Sequence, residues 1–249
     1  MTDMPLPRRA IVTCGPSITP IDAVRRITNF STGELGVRLT ESLSEHGWEV
    51  HCFKGTAATY RNPEGEGVEL HSFSTNANLG EGLAALPEPE TVAVVFHTAA
   101  LGDYEVESIQ TMDGSPLEAR KVSSHLPGLR LHLRPAPKLL PKLGALFPRA
   151  RIVGWKFELE GDRESAIETA RLQIQVNHTA LSVVNGEAFG TGFGILDPAG
   201  DCELLETRSE LCQRLAVWAG GLEGLEKRVG DGFGDAGSAV DSLAETGNP

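Results

Sequence analysis

The segment that decides the fold of this 249-residue chain is Asp22–Gly36, with the sequence DAVRRITNFSTGELG. It follows an apolar run at residues 10–13, which predicts a first strand. It leads into Leu35, Leu39 and Leu43, whose spacing predicts one face of an amphipathic helix. A strand, a polar connection and a helix start together favour anion binding, because a helix N-terminus offers unpaired N–H groups and a positive dipole end.

Small and hydroxylic residues inside this segment have two interpretations. Gly33 and Gly36 let a ligand approach the backbone without meeting a Cβ atom. Ser31 and Thr32 can cap the following helix and offer hydroxyl groups to a ligand. The alternative is a plain N-capped helix after a long loop, and these residues alone leave both interpretations open.

Composition describes an ordinary globular chain, with 40% hydrophobic and 22% charged residues. We expect one domain over residues 1–220. We expect disorder and no function over residues 221–249, which are rich in Gly and acidic residues and have little to bury. No apolar run approaches the ~20 residues of a membrane span, and the N-terminus lacks a secretory signal. The predicted location is cytoplasmic, with no membrane contact.

Cysteines and charge narrow the function further. The four cysteines are dispersed and form no C-x-x-C pair, which favours a reducing compartment and argues against a disulfide framework or a cysteine zinc site. The net charge of −12 argues against a nucleic-acid partner. A polyanionic ligand would need locally gathered cations. The candidates are Arg25, Arg26, Lys121, Lys138, Lys142 and Lys156.

Strand and helix patterns alternate along most of the chain. Further strands are predicted at 48–54, 68–73, 91–98, 151–155 and 180–184, with a terminal hairpin of 192–196 and 202–205. Helices are predicted at 77–86, at 137–147 with Pro137 in the first turn, after an Asp162 N-cap, and around 211–218. This alternation predicts an α/β fold of the Rossmann-like type, with a mostly parallel sheet flanked by helices.

The middle of the chain breaks this alternation. Residues 121–124 and 129–133 lie on either side of Pro127-Gly128, which predicts a hairpin-like insertion within residues 101–133. Such an arm is a candidate to cover the site or to pair with a second subunit. A simple surface excursion is the alternative.

Polar residues follow several of the predicted strands. Gly15 follows the first strand, Asp103 follows the long buried strand, and Lys156 and Asn185 follow the next two. Ligands of an open parallel sheet bind at the carboxyl ends of its strands, so these positions predict a binding edge. Asp103 alone is equally compatible with a turn or cap.

Taken in order, these motifs resemble phosphopantothenoylcysteine synthetase, the ligase of coenzyme A biosynthesis, over about residues 12–219. The loop at residues 20–36 is the specific part, because it follows the family pattern P-[ILV]-D-x-V-R-x-[ILF]-x-N-x-S-[ST]-G-x-x-G. The remaining matches are Ala99-Ala-Leu-Gly-Asp103-Tyr104, Lys121-Val122, Pro137-Lys-Leu-Leu140, Trp155-Lys156-Phe-Glu158 with Asp162, and Val183-Val-Asn185.

The resemblance implies a two-step ligation. The carboxylate of 4′-phosphopantothenate attacks the α-phosphate of ATP or CTP and expels pyrophosphate. The amine of cysteine then attacks the acyl-nucleotide and releases the nucleoside monophosphate. Lysines, backbone N–H groups and Mg²⁺ would neutralise the phosphate charge.

The resemblance also assigns roles to residues. Asn29 would be catalytic, donating to the acyl-phosphate oxygen, and Lys121 would be catalytic and pair with the triphosphate. Asp22, Arg25 and Asn29 would contact the substrate. Asp103 would lie on the ribose or metal side of the nucleotide, and Lys156 would be a second phosphate lysine. The full nucleotide-binding set is Gly15, Ser31, Thr32, Gly33, Ala99, Ala100, Asp103, Lys121, Pro137, Trp155 and Lys156.

Some positions depart from the family pattern. Glu34 occupies a place that commonly holds Lys or Arg, and Gln173 and Asn177 replace lysines of bacterial members. Lys156 is the candidate to compensate, and its eukaryotic-type context favours ATP, with CTP left open. The first strand is predicted to start near Arg9, so we expect no flavoprotein half of the kind often fused upstream and predict no bound flavin. The family is generally dimeric, so we expect a homodimer, with residues 102–133 as the candidate contact arm.

Two rival functions remain. A short-chain reductase would need its glycine turn directly after the first strand, whereas here about 18 residues intervene. A non-catalytic family member that binds a nucleotide or a partner is the stronger rival, because Glu34 and the replaced lysines are compatible with it.

Overall fold

The predicted α/β fold is confirmed by a computed structural model that describes residues 8–221. The predicted tail from residue 222 onward lies outside the described residues. The strands are β1 (Arg9–Cys14), β2 (Ile18–Pro20), β3 (Arg26–Thr28), β4 (Glu49–Gly55), β5 (Val68–Phe73), β6 (Val92–His97), β7 (Tyr104–Gln110), β8 (Arg130–Pro135), β9 (Arg151–Phe157), β10 (Leu181–Gly186), β11 (Gly190–Leu196) and β12 (Cys202–Leu205). The helices are α1 (Glu34–Glu45), α2 (Asn76–Ala84), α3 (Leu140–Leu146), α4 (Arg163–Asn177) and α5 (Arg208–Gly221).

The central sheet has eight strands in the order β12-β11-β10-β9-β6-β1-β4-β5. The six strands from β10 to β5 run parallel, and β11 and β12 complete one edge in antiparallel pairing. From β1 the chain builds outward to β4 and β5, then returns to β6 on the other side. The strand order therefore reverses between β1 and β6, and a crevice for a ligand forms at such a switch point.

Helices cover both faces of this sheet. One hydrophobic core joins the sheet to α1 and α5, through residues such as Val12, Leu39 and Leu215. On the opposite face Ile11, Phe53 and Val95 pack beneath α2 and α3, and α4 covers β10 and β11. Successive strand residues face opposite sides, so the parallel strands, covered on both faces, are apolar almost throughout.

The insertion is a hairpin, but only one of its two predicted strands is confirmed, since β8 overlaps the predicted residues 129–133. β7 pairs antiparallel with β8, whereas residues 121–124 form no strand. A separate short hairpin, β2 with β3, was also missed, and it lies inside the connection between β1 and α1. β2 and β3 have only three residues each, and the apolar alternation of β7 is interrupted after Val106, so the hydrophobic pattern that reveals a strand is weak in these three segments.

Of three predicted helix starts, one is confirmed by the structure and two are wrong. Asp162 and Ser165 form the capping box of α4. The first turn of α3 contains Pro141 rather than Pro137, because the helix begins at Leu140. At α1 the N-cap position is Gly33, with φ of +80°, so neither Ser31 nor Thr32 is the cap residue. The Thr32 hydroxyl still accepts a hydrogen bond from the N–H of Glu34 at 3.2 Å.

All four cysteines are free. The Cys14 and Cys52 sulfur atoms lie 3.9 Å apart in the core, and the hydrogen bond of Cys14 with Cys52, together with burial, raises the pKa of Cys14. Burial raises the pKa of Cys212 to about 12, so this thiol is protonated at neutral pH. Among residues 8–221, no helix combines the length and apolar character that crossing a bilayer requires.

Candidate functional site

The carboxyl ends of β1 and β6 are joined by backbone contacts at the switch point. The N–H of Ala100 donates to the Gly15 carbonyl at 3.0 Å, and the N–H of Ser17 donates to the Ala100 carbonyl at 3.2 Å. The Ser17 hydroxyl accepts a hydrogen bond from the N–H of Gly102 at 2.9 Å. The predicted residues Gly15, Ala99 and Ala100 therefore lie at one place in the fold.

Glycines allow α1 to begin against this edge. Gly15 and Gly33 have φ of +77° and +80°, and a Cβ on Gly33 would lie 3.4 Å from the Gly15 Cα. A Cβ on Gly36 would lie 2.2 Å from the Cys14 Cβ and 2.9 Å from the Thr98 hydroxyl. The start of α1, with Ser31 and Thr32 just before it, is thus pressed onto the switch point because side chains are absent there.

Asn29 reaches the same edge from the loop between β3 and α1. Its side-chain nitrogen donates to the carbonyls of Ala100 at 3.2 Å and Leu101 at 3.0 Å. Its Oδ1 accepts no hydrogen bond within the described chain, and the residue is exposed. To donate to a ligand oxygen, as predicted, the amide must exchange one of these two carbonyls for that oxygen.

The Asp22 carboxylate organises the loop that carries Asn29. It accepts hydrogen bonds from the N–H groups of Val24 at 2.9 Å and Arg25 at 2.8 Å, and from the N–H of Val122 at 3.1 Å. The guanidinium of Arg25 lies 2.5 Å away. The hydrogen bond from Val24 is the leading reason that the pKa of Asp22 lies below its usual value. The side chain is inaccessible to solvent, so its geometry supports a positioning role in the loop.

The same contacts bring the predicted Lys121 to this loop. The Arg25 guanidinium donates to the Val122 carbonyl at 3.1 Å, and the N–H of Ala23 donates to the Arg120 carbonyl at 3.0 Å. Lys121 is exposed and has no hydrogen bond or ion pair within residues 8–221. Its ammonium is therefore available for an anionic ligand beside the Asn29 loop.

Asp103 and Pro137 are adjacent beyond β6. The N–H of Ala136 donates to the Asp103 carbonyl at 2.9 Å, and the Asp103 carboxylate forms an ion pair with Lys138. Both charged side chains are exposed, so this pair can open at little cost to meet a ligand.

Trp155 and Lys156 lie at the carboxyl end of β9, beside β6. Because strand residues alternate, they face opposite sides of the sheet. Trp155 packs against the core of α1 and α5, and its indole N–H is buried with no partner. Lys156 pairs with Glu158 at 2.9 Å and is one-third exposed. The structure thus separates the two side chains, although both lie at the carboxyl edge of the sheet.

The positions that depart from the family pattern have structural partners. Glu34 pairs with Arg38 at 2.8 Å and with Arg208 at 3.7 Å, so its negative charge is compensated. The Gln173 amide donates to the Trp155 carbonyl at 3.1 Å and accepts from the Ser182 hydroxyl at 2.8 Å. Asn177 donates back to the Gln173 carbonyl at 2.9 Å. The Gln173 amide thus attaches α4 to the sheet, whereas the Asn177 contact lies within the helix.

Lys54 is a residue at this edge to which the sequence analysis gave no role. It is the next-to-last residue of β4, and its ammonium donates to the Tyr60 carbonyl at 2.7 Å and the Asn62 side chain at 3.0 Å. The Tyr60 N–H in turn donates to the Thr32 carbonyl at 3.0 Å. Lys54 therefore holds the loop after β4 against the start of α1. The sequence signal for Lys54 is the same as for Lys156, a lysine at the end of an apolar strand.

Comparisons with known proteins identify the family and the fold. The family model described as DNA/pantothenate metabolism flavoprotein C-terminal domain matches residues 6–207. The coenzyme A biosynthesis bifunctional protein CoaBC of Thermococcus kodakarensis is 30% identical over 188 residues, which cover 74% of this chain and 43% of that relative. The chain thus spans less than half the length of this curated relative.

Solved structures show the same fold. The crystal structure of the DNA/pantothenate metabolism flavoprotein from Streptococcus pneumoniae superposes with a TM-score of 0.73 at 21% identity, over 89% of this chain and 99% of that one. A Cab2 mutant solved in complex with phosphopantothenate-cysteine gives a TM-score of 0.65 at 16% identity, over 88% and 89% of the two chains. From the family match over most of its length, we conclude that the chain belongs to the DNA/pantothenate metabolism flavoprotein C-terminal domain family.

Proposed function

We propose that this chain is a phosphopantothenate–cysteine ligase of coenzyme A biosynthesis. The observation that carries the proposal is the Asn29 amide at the switch point, in a loop that the Asp22 carboxylate ties to the backbone beside Lys121. A polar donor and a free ammonium next to one crevice suit a reaction in which a carboxylate attacks a phosphate. Membership of the family, and a relative solved with phosphopantothenate-cysteine, support the same chemistry.

In the proposed reaction the 4′-phosphopantothenate carboxylate attacks the α-phosphate of a nucleoside triphosphate, and pyrophosphate leaves. The cysteine amine then attacks the acyl carbon, the bond to the nucleotide phosphate breaks, and the amine loses a proton as the amide forms. Asn29 stabilises the acyl-phosphate oxygen, and Lys121 pairs with the triphosphate. Arg25 contributes charge near the substrate, while Asp22 holds the loop in place.

The triphosphate is proposed to lie along the start of α1. Gly15, Gly33 and the hydroxyls of Ser31 and Thr32 border this position, and α1 directs its positive dipole end toward it. Lys156 approaches from β9 by exchanging its Glu158 partner for phosphate. We propose ATP as the preferred nucleotide, with CTP as the alternative that direct competition decides.

Magnesium fits this site as a companion of the triphosphate. Mg²⁺ is commonly held by one or two carboxylates together with phosphate oxygens and water. Asp103 is the exposed carboxylate at this edge and would supply such a ligand after releasing Lys138. When bound, the ion neutralises charge on the leaving pyrophosphate.

The test of this proposal is pyrophosphate release by purified chain given 4′-phosphopantothenate, cysteine, Mg²⁺ and either ATP or CTP. Release that requires phosphopantothenate, followed by formation of the amide in the presence of cysteine, is the expected result. Triphosphate binding without pyrophosphate release would favour the non-catalytic alternative. Omitting cysteine separates the two steps, because the first should still proceed to a single turnover.

We further propose a homodimer. The loop of the site exposes Val24 and Phe30, and the hairpin arm exposes Tyr104 and Leu133, which are apolar groups that a second copy would cover. Light scattering coupled to size exclusion should give twice the chain mass. A monomer at micromolar concentration would remove this part of the proposal.

A further inference from the structure

Two histidines and a glutamate meet on the outer strands of the sheet, apart from every residue of the candidate site. His51 of β4 and His71 of β5 place Nδ1 and Nε2 3.0 Å from each other. The Glu69 carboxylate faces both nitrogens, with Oε2 3.4 Å from His51 Nδ1 and Oε1 3.4 Å from His71 Nε2. These side chains form the group of His, Cys, Asp or Glu residues within residues 8–221 whose donor atoms converge closely enough for a metal ion.

Hydrogen bonding alone does not satisfy this arrangement. If His51 Nδ1–H donates to His71, then a carboxylate oxygen faces the lone pair of His71. If His71 donates to His51, the lone pair of His51 faces the other oxygen. If both nitrogens carry hydrogen, two N–H groups oppose each other across 3.0 Å. When both facing nitrogens present lone pairs, a cation among the three groups satisfies the two rings and the carboxylate together.

The distances match those of a transition-metal site. Zinc–nitrogen bonds of about 2.0–2.1 Å in a tetrahedral site separate neighbouring donor atoms by about 3.3–3.4 Å. The ring nitrogens lie 3.0 Å apart, and each lies 3.4 Å from a different oxygen of Glu69, so every nitrogen–oxygen and nitrogen–nitrogen neighbour is near this spacing. The carboxylate would therefore chelate the ion through both oxygens or turn to present one of them. We propose that His51, Glu69 and His71 bind a divalent transition-metal ion of the zinc class, with the remaining coordination position open to water.

The surroundings hold the ligands in place. The His71 ring stacks on the Phe53 ring, with 4.5 Å between the two centroids. His51 is buried, with only 5% of its surface exposed. The other ring nitrogen of His51 is buried without a hydrogen-bond partner and lies 4.0 Å from a Glu49 oxygen. Metal-binding histidines commonly direct their second nitrogen at a carboxylate.

The positive charge of the nearby Arg9 side chain would oppose binding of a metal ion, but two glutamates already neutralise it. Arg9 lies 3.6 Å from Glu49 and 3.7 Å from Glu88, which offset its charge.

The proposed role of the ion is structural. His51 belongs to β4 and the other two ligands to β5, the edge strand, so the ion would fasten that edge to the rest of the sheet.

The experiment uses untagged, chelator-treated full chain titrated with Co²⁺ and Zn²⁺. We expect one equivalent of Co²⁺ to give the intense visible absorption of a low-coordinate ion, and Zn²⁺ to displace it. Glu69→Gln keeps the shape of an exposed side chain, and His71→Ala removes a ring. Each should weaken binding at least about 10–100-fold, the range seen when even outer-shell partners are removed. His125→Ala, on an exposed loop residue, is the matched control and should bind as the parent does.

A second readout guards against misfolded variants. Zn²⁺ should raise the thermal midpoint of the parent and of His125→Ala, because binding to the folded state alone stabilises it. It should not raise that of Glu69→Gln. Unchanged affinity in both Glu69→Gln and His71→Ala, or no binding to the parent, would overturn the proposal. Pyrophosphate release measures a different site, so its outcome does not enter this test.

Discussion

The Asp22 carboxylate accepts a hydrogen bond from the backbone N–H of Val122 at 3.1 Å, across a sequence separation of 100 residues. This contact joins the loop that carries Asn29 to the segment that carries Lys121. The two residues to which the proposed chemistry gives catalytic roles are therefore positioned by a third, buried side chain. Disturbing Asp22 should move both catalytic groups while leaving the sheet intact.

Replacing Asp22 tests this positioning role. Asp22→Ala removes the acceptor for three backbone N–H groups and the Arg25 ion pair, so we expect ligase turnover to fall on the order of 10²-fold, as for misplacement of catalytic groups by about 1 Å. Asp22→Asn keeps the Oδ1 atom that accepts hydrogen bonds from the N–H groups of Val24 and Arg25, so its turnover should fall less. Pyrophosphate release and circular dichroism together provide the measurement.

The matched control is Asp113→Ala. Asp113 also accepts a backbone hydrogen bond in a tight turn, from Ser115 at 3.1 Å, but it lies within the hairpin arm. Equal losses of turnover in the Asp22→Ala and Asp113→Ala variants would show that the Asp22 effect is not local to the site.

Asn29→Ala tests the proposed oxyanion contact directly. Removing one preorganised donor typically costs about 10²–10³-fold in turnover. The thermal midpoint should barely change, because the Asn29 side chain is exposed and its two carbonyl partners remain accessible to water. Asn29→Asp should be at least as impaired, since its charge repels both carbonyl oxygens and phosphate. Full activity in Asn29→Ala would remove this residue from the mechanism.

Gly36→Ala tests the close contact between α1 and β1. The added methyl group would lie 2.2 Å from the Cys14 Cβ, inside the core. Overpacking of this kind should lower the free energy of unfolding by about 1–3 kcal/mol. Gly144→Ala is the control, because Gly144 lies within α3 with no atom within 4 Å of the new methyl group. It should stabilise the chain by about 0.4–1 kcal/mol, and urea unfolding measures both.

His97 predicts a loss of stability in acid. Burial lowers its pKa from 6.5 to about 4, and its Nδ1 lies 2.8 Å from the Thr13 hydroxyl. Below pH 6.5 the unfolded chain takes up a proton that the folded chain refuses, so the unfolded state gains stability as the pH falls. The contribution of His97 to the free energy of unfolding is complete above pH 6.5, declines below that pH and is lost near pH 4. The total loss is about 3 kcal/mol.

The measurement is urea unfolding of the parent and His97→Gln between pH 7 and pH 4.5. The free energy of unfolding of the variant should decline less than that of the parent as the pH falls. The decline that remains should include the contribution of His51, whose pKa is also lowered by burial. His125→Gln, which changes an exposed ring, should follow the parent curve. A parent curve that is flat from pH 7 to pH 4.5 would contradict the buried, neutral state of His97.

The sequence by itself determined the parallel sheet, its helices and the switch-point loop. Their signals are local, because runs such as residues 92–97 and the spacing of Leu35, Leu39 and Leu43 record burial on one or both faces. The capping box of α4 and the family motif around Asn29 are equally local, and both can be read without knowing what lies nearby in space.

Tertiary structure alone decided which distant groups meet. No pattern in the chain signalled that Tyr104–Gln110 pairs with Arg130–Pro135, because the first strand is only partly buried, the second is mostly exposed, and neither has a clear hydrophobic face. The clamp from Asp22 to Val122 and the convergence of His51 with His71 depend on how loops and neighbouring strands come into register. Single hydrogen bonds and side-chain distances of this kind leave no periodic trace in a sequence, since they depend on backbone positions fixed only after the sheet is assembled.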